Sequence, residues 1–146
     1  MNNVIYFTTA LETDDFKEYL KIWKKPINSS NQIFHNKLIR SISLTNHVDV
    51  ISIRPFSKTN CLVKKLDKGE KITSQIHWHY LKIRNNHFVR LFSSWFQAVK
   101  LVFKLPKNSI VITDTINPFV LNLATFIAKQ RNLKTELNLV KRRIEN

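Results

Sequence analysis

Glycine is almost missing from this chain, with Gly69 the single example among 146 residues. A dinucleotide-binding fingerprint or a P-loop needs several glycines so that backbone can approach phosphate, so neither can be built here. Cysteine is equally scarce. Cys61 stands alone, which excludes an internal disulfide and a thiolate zinc cluster, removes any need for an oxidising compartment and makes a cytoplasmic location the expectation. Acidic side chains are few: 10 Asp and Glu face 24 Lys and Arg, a formal net charge of +14. Such a surface suits an anionic partner. A Lys excess in a chain also rich in Asn and Ile is equally what AT-biased coding produces, so charge alone decides nothing. No run reaches the roughly 18 apolar residues needed to cross a bilayer. The start of the chain lacks the basic, apolar and small-residue regions of a signal peptide. No Ser/His/Asp or Cys/His order matches a nucleophile context, which leaves hydrolase chemistry without an anchor.

What is present is apolar material for a core: 43% of residues are hydrophobic and 11% aromatic, in a chain long enough for one domain. Residues 4–7 form a continuous apolar run that reads as a strand covered on both faces. Thr13, Asp14 and Asp15 then open a helix carrying Phe16, Tyr19, Leu20 and Trp23, stopped by Pro26. Ser29 and Gln32 stand as a capping box before a second helix whose apolar residues, Phe34, Leu38 and Ile42, recur every four positions. Residues 48–53 read as a second strand, ended by Arg54-Pro55. Residues 56–75 are a long Lys-rich excursion with room for a small edge strand, and 76–83 return to strand character. Phe88, Leu91, Phe92, Trp95, Phe96, Val99, Val102 and Phe103 mark a long amphipathic helix that ends before Pro106, with its apolar stripe expected to pack on a sheet. Residues 110–113 are a short buried strand. Asn117-Pro118 opens a further helix, a last strand spans 133–140, and 141–146 are a charged tail. Strands alternating with helices predict an α/β domain with a mostly parallel sheet. Ligands of such sheets bind beyond the strand carboxyl ends, which points to Thr8, Thr9, Arg54, Asp114, Thr115 and Asn117.

The order and wording of these pieces resemble the N-terminal half of glycosyltransferases of family 4, two-domain enzymes with the GT-B fold. The likeness rests on Tyr6-Phe7-Thr8-Thr9-Ala10-Leu11, on Lys25-Pro26 leading into Asn31-Gln32-Ile33-Phe34-His35, on Val48-Asp49-Val50-Ile51-Ser52, and on Ile110-Val111-Ile112-Thr113-Asp114-Thr115-Ile116-Asn117-Pro118. It runs through nearly the whole chain to about Leu133 and implies a single Rossmann-like domain over residues 1–146, its parallel sheet flanked by helices. In that family the N-terminal domain receives the acceptor and the C-terminal domain binds the nucleotide-sugar donor. The resemblance therefore implies an acceptor-binding half, with the donor-binding domain absent from these residues and transfer occurring only with a donor-domain polypeptide as partner. The acid-bearing loop of the family has no counterpart in residues 137–143. Half of such a cleft cannot both hold a leaving diphosphate and position the acceptor, so the chain alone is expected to be inactive.

The acceptor-side positions that the resemblance carries over are Thr8, Thr9, Asn31, His35, Asp114, Thr115 and Asn117; catalytic residues stay unassigned. Asp114 is read either as a carboxylate for an acceptor hydroxyl or as a cap for the helix opening at Asn117. His35 is read either as cleft-facing or as a structural histidine. His77 and His79 share one strand face, but with no third ligand nearby in sequence they read as ordinary strand residues rather than a zinc site. No cofactor and no metal is expected. Expected partners are a saccharide or lipid-linked acceptor and an anionic membrane surface, for which the basic excursion is the better candidate than the long helix. A reading from another class is a basic nucleic-acid-binding or interaction module without catalysis. No reader motif or stacking set supports it, so nucleic acid is not the expected partner.

Overall fold

A strand with four consecutive apolar residues can sit only where both of its faces are covered. In the computed structural model, which describes residues 1–114, 118–130 and the backbone of 134–135, Val4, Ile5, Tyr6 and Phe7 are buried in β1 (Asn2–Thr8), an inner strand of a six-stranded sheet. β1 pairs in parallel with β2 (Asn46–Ser52) on one side and β7 (Ser109–Thr113) on the other. β5 (Ile76–Tyr80) extends the sheet beside β2, and β8 (Lys134–Thr135) extends it beside β7, both in parallel.

The sheet is nonetheless mixed: beside the parallel pairings the sequence predicts, β4 (Gly69–Thr73) closes the β5 edge in antiparallel register. The order is β4-β5-β2-β1-β7-β8. The reason is local: only Ser74 and Gln75 separate β4 from β5, and a connection that short makes a hairpin, never a crossover. The basic excursion that supplies β4 is anchored rather than loose. Its Cys61 and Leu66 are buried, Cys61 bridges Trp23 in antiparallel fashion, and β3 (Lys65–Leu66) pairs with β6 (Ile83–Arg84) in a second small ladder.

Among the described residues four helices, α1 (Thr13–Leu20), α2 (Ser30–Ser43), α3 (His87–Val102) and α4 (Pro118–Gln130), cover the sheet. The crossover through α2 runs from β1 to β2 and the one through α3 runs from β5 to β7, stepping in opposite directions along the sheet. Right-handed connections therefore place α2 and α3 on opposite faces. α1 lies with α2, and α4 lies with α3, where the Trp95 ring meets those of Phe119 and Phe126.

Three local expectations are corrected. The α1 cap is Glu12, not Thr13: its carboxylate accepts from the amides of Asp14 and Asp15. Ser29 makes no side-chain cap for α2, and Gln32 is withdrawn from the capping box because it reaches the β1–α1 turn instead. The apolar stripes of two helices are only partly buried. α2 buries Gln32, His35, Asn36 and Ile39 and exposes Phe34, while α3 buries only Ser94, Ala98 and Val102. Small residues on that face of α3 let the helix approach the sheet closely; Trp95, Val99 and Leu101 pack partly against the core, while three phenylalanines are left outside it. Phe88, Phe92 and Phe96 are 71%, 75% and 71% exposed. The strand expected over 133–140 is described only at Lys134 and Thr135; the remainder and the charged tail lie outside the described residues.

Ser74, at the first position of the β4–β5 hairpin, has φ of 54°. A side chain costs free energy in that left-handed region, which glycine enters freely. Ser74→Gly is expected to stabilise the chain by roughly 0.5–1 kcal/mol, read as a rise in the urea midpoint without change in slope.

Candidate functional site at the strand carboxyl ends

Parallel strands that lead outward in both directions from one strand leave a crevice beyond their carboxyl ends, between β1 and β7 here. The first element of that crevice is the turn after β1, whose backbone is buried and must find partners inside the protein. Thr8 Oγ1 accepts from the Ala10 amide at 3.0 Å, and the Ser52 hydroxyl donates to the Ala10 carbonyl. Gln32 accepts from the Leu11 amide at 2.8 Å through Oε1 and donates to the Thr9 carbonyl through Nε2. Asn36 Nδ2 donates to the Leu11 carbonyl at 2.7 Å, and the Glu12 amide donates to the Tyr80 hydroxyl at 3.1 Å. The polar buried face of α2 thus exists to hold this turn.

Beneath it lies a buried row of three side chains. Tyr6 Oη is 2.7 Å from His35 Nδ1, and His35 Nε2 is 3.1 Å from Asp114 Oδ2. His35 is 4% exposed and Asp114 2%. A carboxylate can only accept, so the proton on the imidazole belongs on Nε2, which leaves Nδ1 to accept from the Tyr6 hydroxyl. Burial and the nearby Asp114 carboxylate push the Tyr6 phenol well above its ordinary value, so it keeps that proton at every physiological pH.

The open part of the site is a cavity of about 430 Å³ on the α3 side, lined by Thr9, Trp23, Arg54, His87, Arg90 and Phe119, among others. Arg54 follows β2, and its guanidinium donates to the carbonyls of Asp67 and Leu81 and lies over the Tyr80 ring. Burial pulls it below its usual value, although a guanidinium still stays charged. Arg90, in the first turn of α3, donates to the Phe56 carbonyl at 3.3 Å. Three buried donors of residues on the cavity wall, Trp23 Nε1, Arg54 Nε and Ser94 Oγ, have no hydrogen-bond partner among the described residues. Unmatched buried donors are costly, and with Arg54 and Arg90 the wall has the chemistry that suits an anionic or hydroxyl-rich ligand. Aromatic rings at Trp23 and Phe119 offer an apolar wall.

Of the positions expected to bind acceptor, Thr9 reaches the cavity. Thr8, His35 and Asp114 are interior, and Asn31 is half-buried at the start of α2. Thr115 and Asn117 lie outside the described residues. Sequence reasoning missed Gln32, Asn36, His87 and Ser94. A signal existed for α2: Gln32, His35, Asn36 and Ile39 hold the i, i+3, i+4, i+7 spacing of a buried face, a face that is mostly polar. Comparison with family models, curated proteins and solved structures finds no match.

Glu12 joins this site to the sheet edge. Its carboxylate lies 2.7 Å from Lys71 Nζ, and the same ammonium reaches Asp15 at 3.0 Å. Burial alone would raise the Glu12 carboxyl, but Lys71 and the amides of Asp14 and Asp15 together hold it below its ordinary value of 4.5. A carboxyl lowered by folding contributes stability that is present above the unfolded value and lost as pH falls through the folded one. Glu12→Gln is therefore expected to cost roughly 1 kcal/mol at pH 7, since solvent screens the partly exposed Lys71. It should also flatten the loss of stability below about pH 4.5, read from urea titrations across pH.

Proposed function

We propose that these residues form the acceptor-binding side of a GT-B-like glycosyltransferase, with a Rossmann-like sheet, that transfers a sugar only together with a donor-binding domain lying outside this sequence. The observation that carries the reading is the cavity beyond β1 and β2, where Thr9 meets Arg54, Arg90 and an aromatic wall. Hydroxyl groups of a saccharide suit Thr9 and the unpaired Ser94 donor, while a phosphate on a lipid-linked acceptor suits the two guanidinium groups. His35 and Asp114 line no part of that cavity; they sit with Tyr6 in the interior and hold the end of β1 against α2. The His35–Asp114 pair is a positioning device rather than a proton shuttle to the acceptor, because both groups are interior.

The test is direct binding of a soluble prenyl-phosphate saccharide to the purified chain, followed by calorimetry. Arg90→Gln is expected to weaken binding at least tenfold, about 1.4 kcal/mol, with Thr9→Val acting on the saccharide portion. The chain alone is expected to turn over no nucleotide sugar, and turnover should require an added donor-binding domain. No binding, or binding indifferent to Arg90→Gln, would remove the acceptor reading. Sequence-selective duplex binding that survives physiological salt would replace it with the nucleic-acid module.

A second surface supports an acceptor embedded in a membrane. Phe88, Phe92 and Phe96 repeat every four residues along α3 and are exposed, with Lys100 in its last turn and Lys104 just past its end. No helix among the described residues is long and apolar enough to cross a bilayer, but an apolar stripe beside cations is what lies flat on an anionic one. This moves the membrane-facing element from the basic excursion to α3. Vesicles of anionic phospholipid are expected to retain the chain in flotation, and Phe88→Ser with Phe92→Ser and Phe96→Ser to abolish retention at physiological salt. Retention unchanged by the triple substitution would leave charge alone as its cause.

A further inference from the structure

Asp49 and His77 are register partners across β2 and β5, and His79 follows two residues later on the same sheet face. The third ligand that the local sequence around His77 and His79 lacks is thus supplied by a strand nearly thirty residues earlier. Asp49 Oδ1 is 2.9 Å from His79 Nε2 and 3.8 Å from His77 Nδ1. The three donor atoms all lie within 4.8 Å of one another. Donors held about 2.0–2.2 Å from a tetrahedral zinc ion are separated by roughly 3.4 Å, a spacing that the two measured distances bracket.

A plain hydrogen bond from His79 to Asp49 explains only part of this arrangement. It satisfies the carboxylate and one nitrogen, but leaves His79 Nδ1 and His77 Nε2 buried without a hydrogen-bond partner, in a histidine that is 5% exposed and another that is half-buried. It also brings the two imidazoles to 3.9 Å between centroids, tilted by 36°, with nothing gained from the approach. Glu70, opposite His79 on β4, faces those two nitrogens at ion-pair distance without a hydrogen bond to either. Its carboxylate lies 3.4 Å from His77 Nε2 and 4.0 Å from His79 Nδ1. These are the nitrogens turned away from Asp49. A carboxylate behind the far nitrogen of each ligating histidine is how metal sites fix ring orientation and tautomer. His47, on the same face of β2, is the next donor, with Nε2 3.6 Å from the other Asp49 oxygen.

We infer that Asp49, His77 and His79 form a binding site for a divalent transition-metal ion of the zinc type, with Glu70 orienting the two imidazoles. Two imidazoles and a carboxylate are borderline donors suited to zinc and its neighbours rather than to calcium or magnesium, which prefer oxygen throughout. The ion would also match the buried Asp49 carboxylate with positive charge. The site lies on the sheet face opposite α2, on the earlier part of β2 and on β5. It is distinct from the cavity at the strand carboxyl ends and does not depend on the acceptor reading.

The test uses the full untagged chain with Zn²⁺ or Co²⁺ as the only added ligand. One equivalent of Zn²⁺ is expected to survive gel filtration, and Co²⁺ to give the intense visible absorption of a four- or five-coordinate ion. At a free concentration a hundredfold above its dissociation constant, Zn²⁺ should raise Tm by roughly 5–10 °C. Asp49→Asn and His77→Gln preserve shape, and each should lower zinc affinity at least tenfold while the metal-free Tm stays close to that of the parent. If Asp49→Asn does not fold, His77→Gln, at the most exposed of the three ligands, decides the matter. Absence of stoichiometric zinc, or zinc affinity unchanged by His77→Gln, would overturn the site and assign any binding to the remaining histidines.

Discussion

A buried turn cannot leave its amides and carbonyls without partners, and the rest of this structure is arranged around that constraint at residues 9–12. Water is excluded there, so side chains take its place: Thr8 and Ser52 from the strands, Gln32 and Asn36 from α2, and the Tyr80 hydroxyl from β5. Each bond contributes only about 1 kcal/mol net, but leaving any one unmade would cost more than making it gains. Holding the turn has consequences outward. It presents Thr9 to the cavity, and it positions Glu12 to cap α1 and to reach Lys71 on β4. One short segment thereby ties the open site, a helix start and the antiparallel edge of the sheet together.

The same constraint explains why α2 reads wrongly from apolar spacing. Periodicity locates a helix by its apolar stripe and assumes that stripe is the buried one. Here the buried face must carry amides for the turn and an imidazole for Tyr6 and Asp114, so Phe34 is displaced to the outside. α3 misleads for a different reason. Its apolar residues surround most of the helix, and spacing cannot choose between Ser94-Ala98-Val102 and Phe88-Phe92-Phe96 as the inner face. Size decides: a close approach to the sheet accommodates Ser and Ala and rejects three phenylalanines. What remains outside is an aromatic ridge without a covering element among the described residues, which is why it bears on membrane contact.

Elements that depend on local pattern were legible. β1, β2 and the strand run of β5, together with the existence of α1 to α4, follow from apolar runs, caps and prolines. The mixed character of the sheet was not, because β4 is short, has no buried residue and lies inside a Lys-rich stretch; only its two-residue connection to β5 fixes its direction. In the site, Thr9 and Arg54 were accessible as residues just past strand ends. Ser94 and His87 were not, since their place depends on how α3 rotates against the sheet.

Register explains the last gap between sequence and site. Period-two spacing already puts His77 and His79 on one face, but it says nothing about which strand lies alongside. In the parallel pair of β2 and β5, Asp49 stands opposite His77, and in the antiparallel pair of β4 and β5, Glu70 stands opposite His79. A shift of one residue in either ladder would carry the carboxylate to the other face, where Val48, Val50 and Trp78 are fully buried. That apolar face is intolerant of charge, so the core on the α2 side holds the ladders in place. Hydrophobic burial on one side of the sheet thus fixes the polar constellation on the other, without any direct contact between the two.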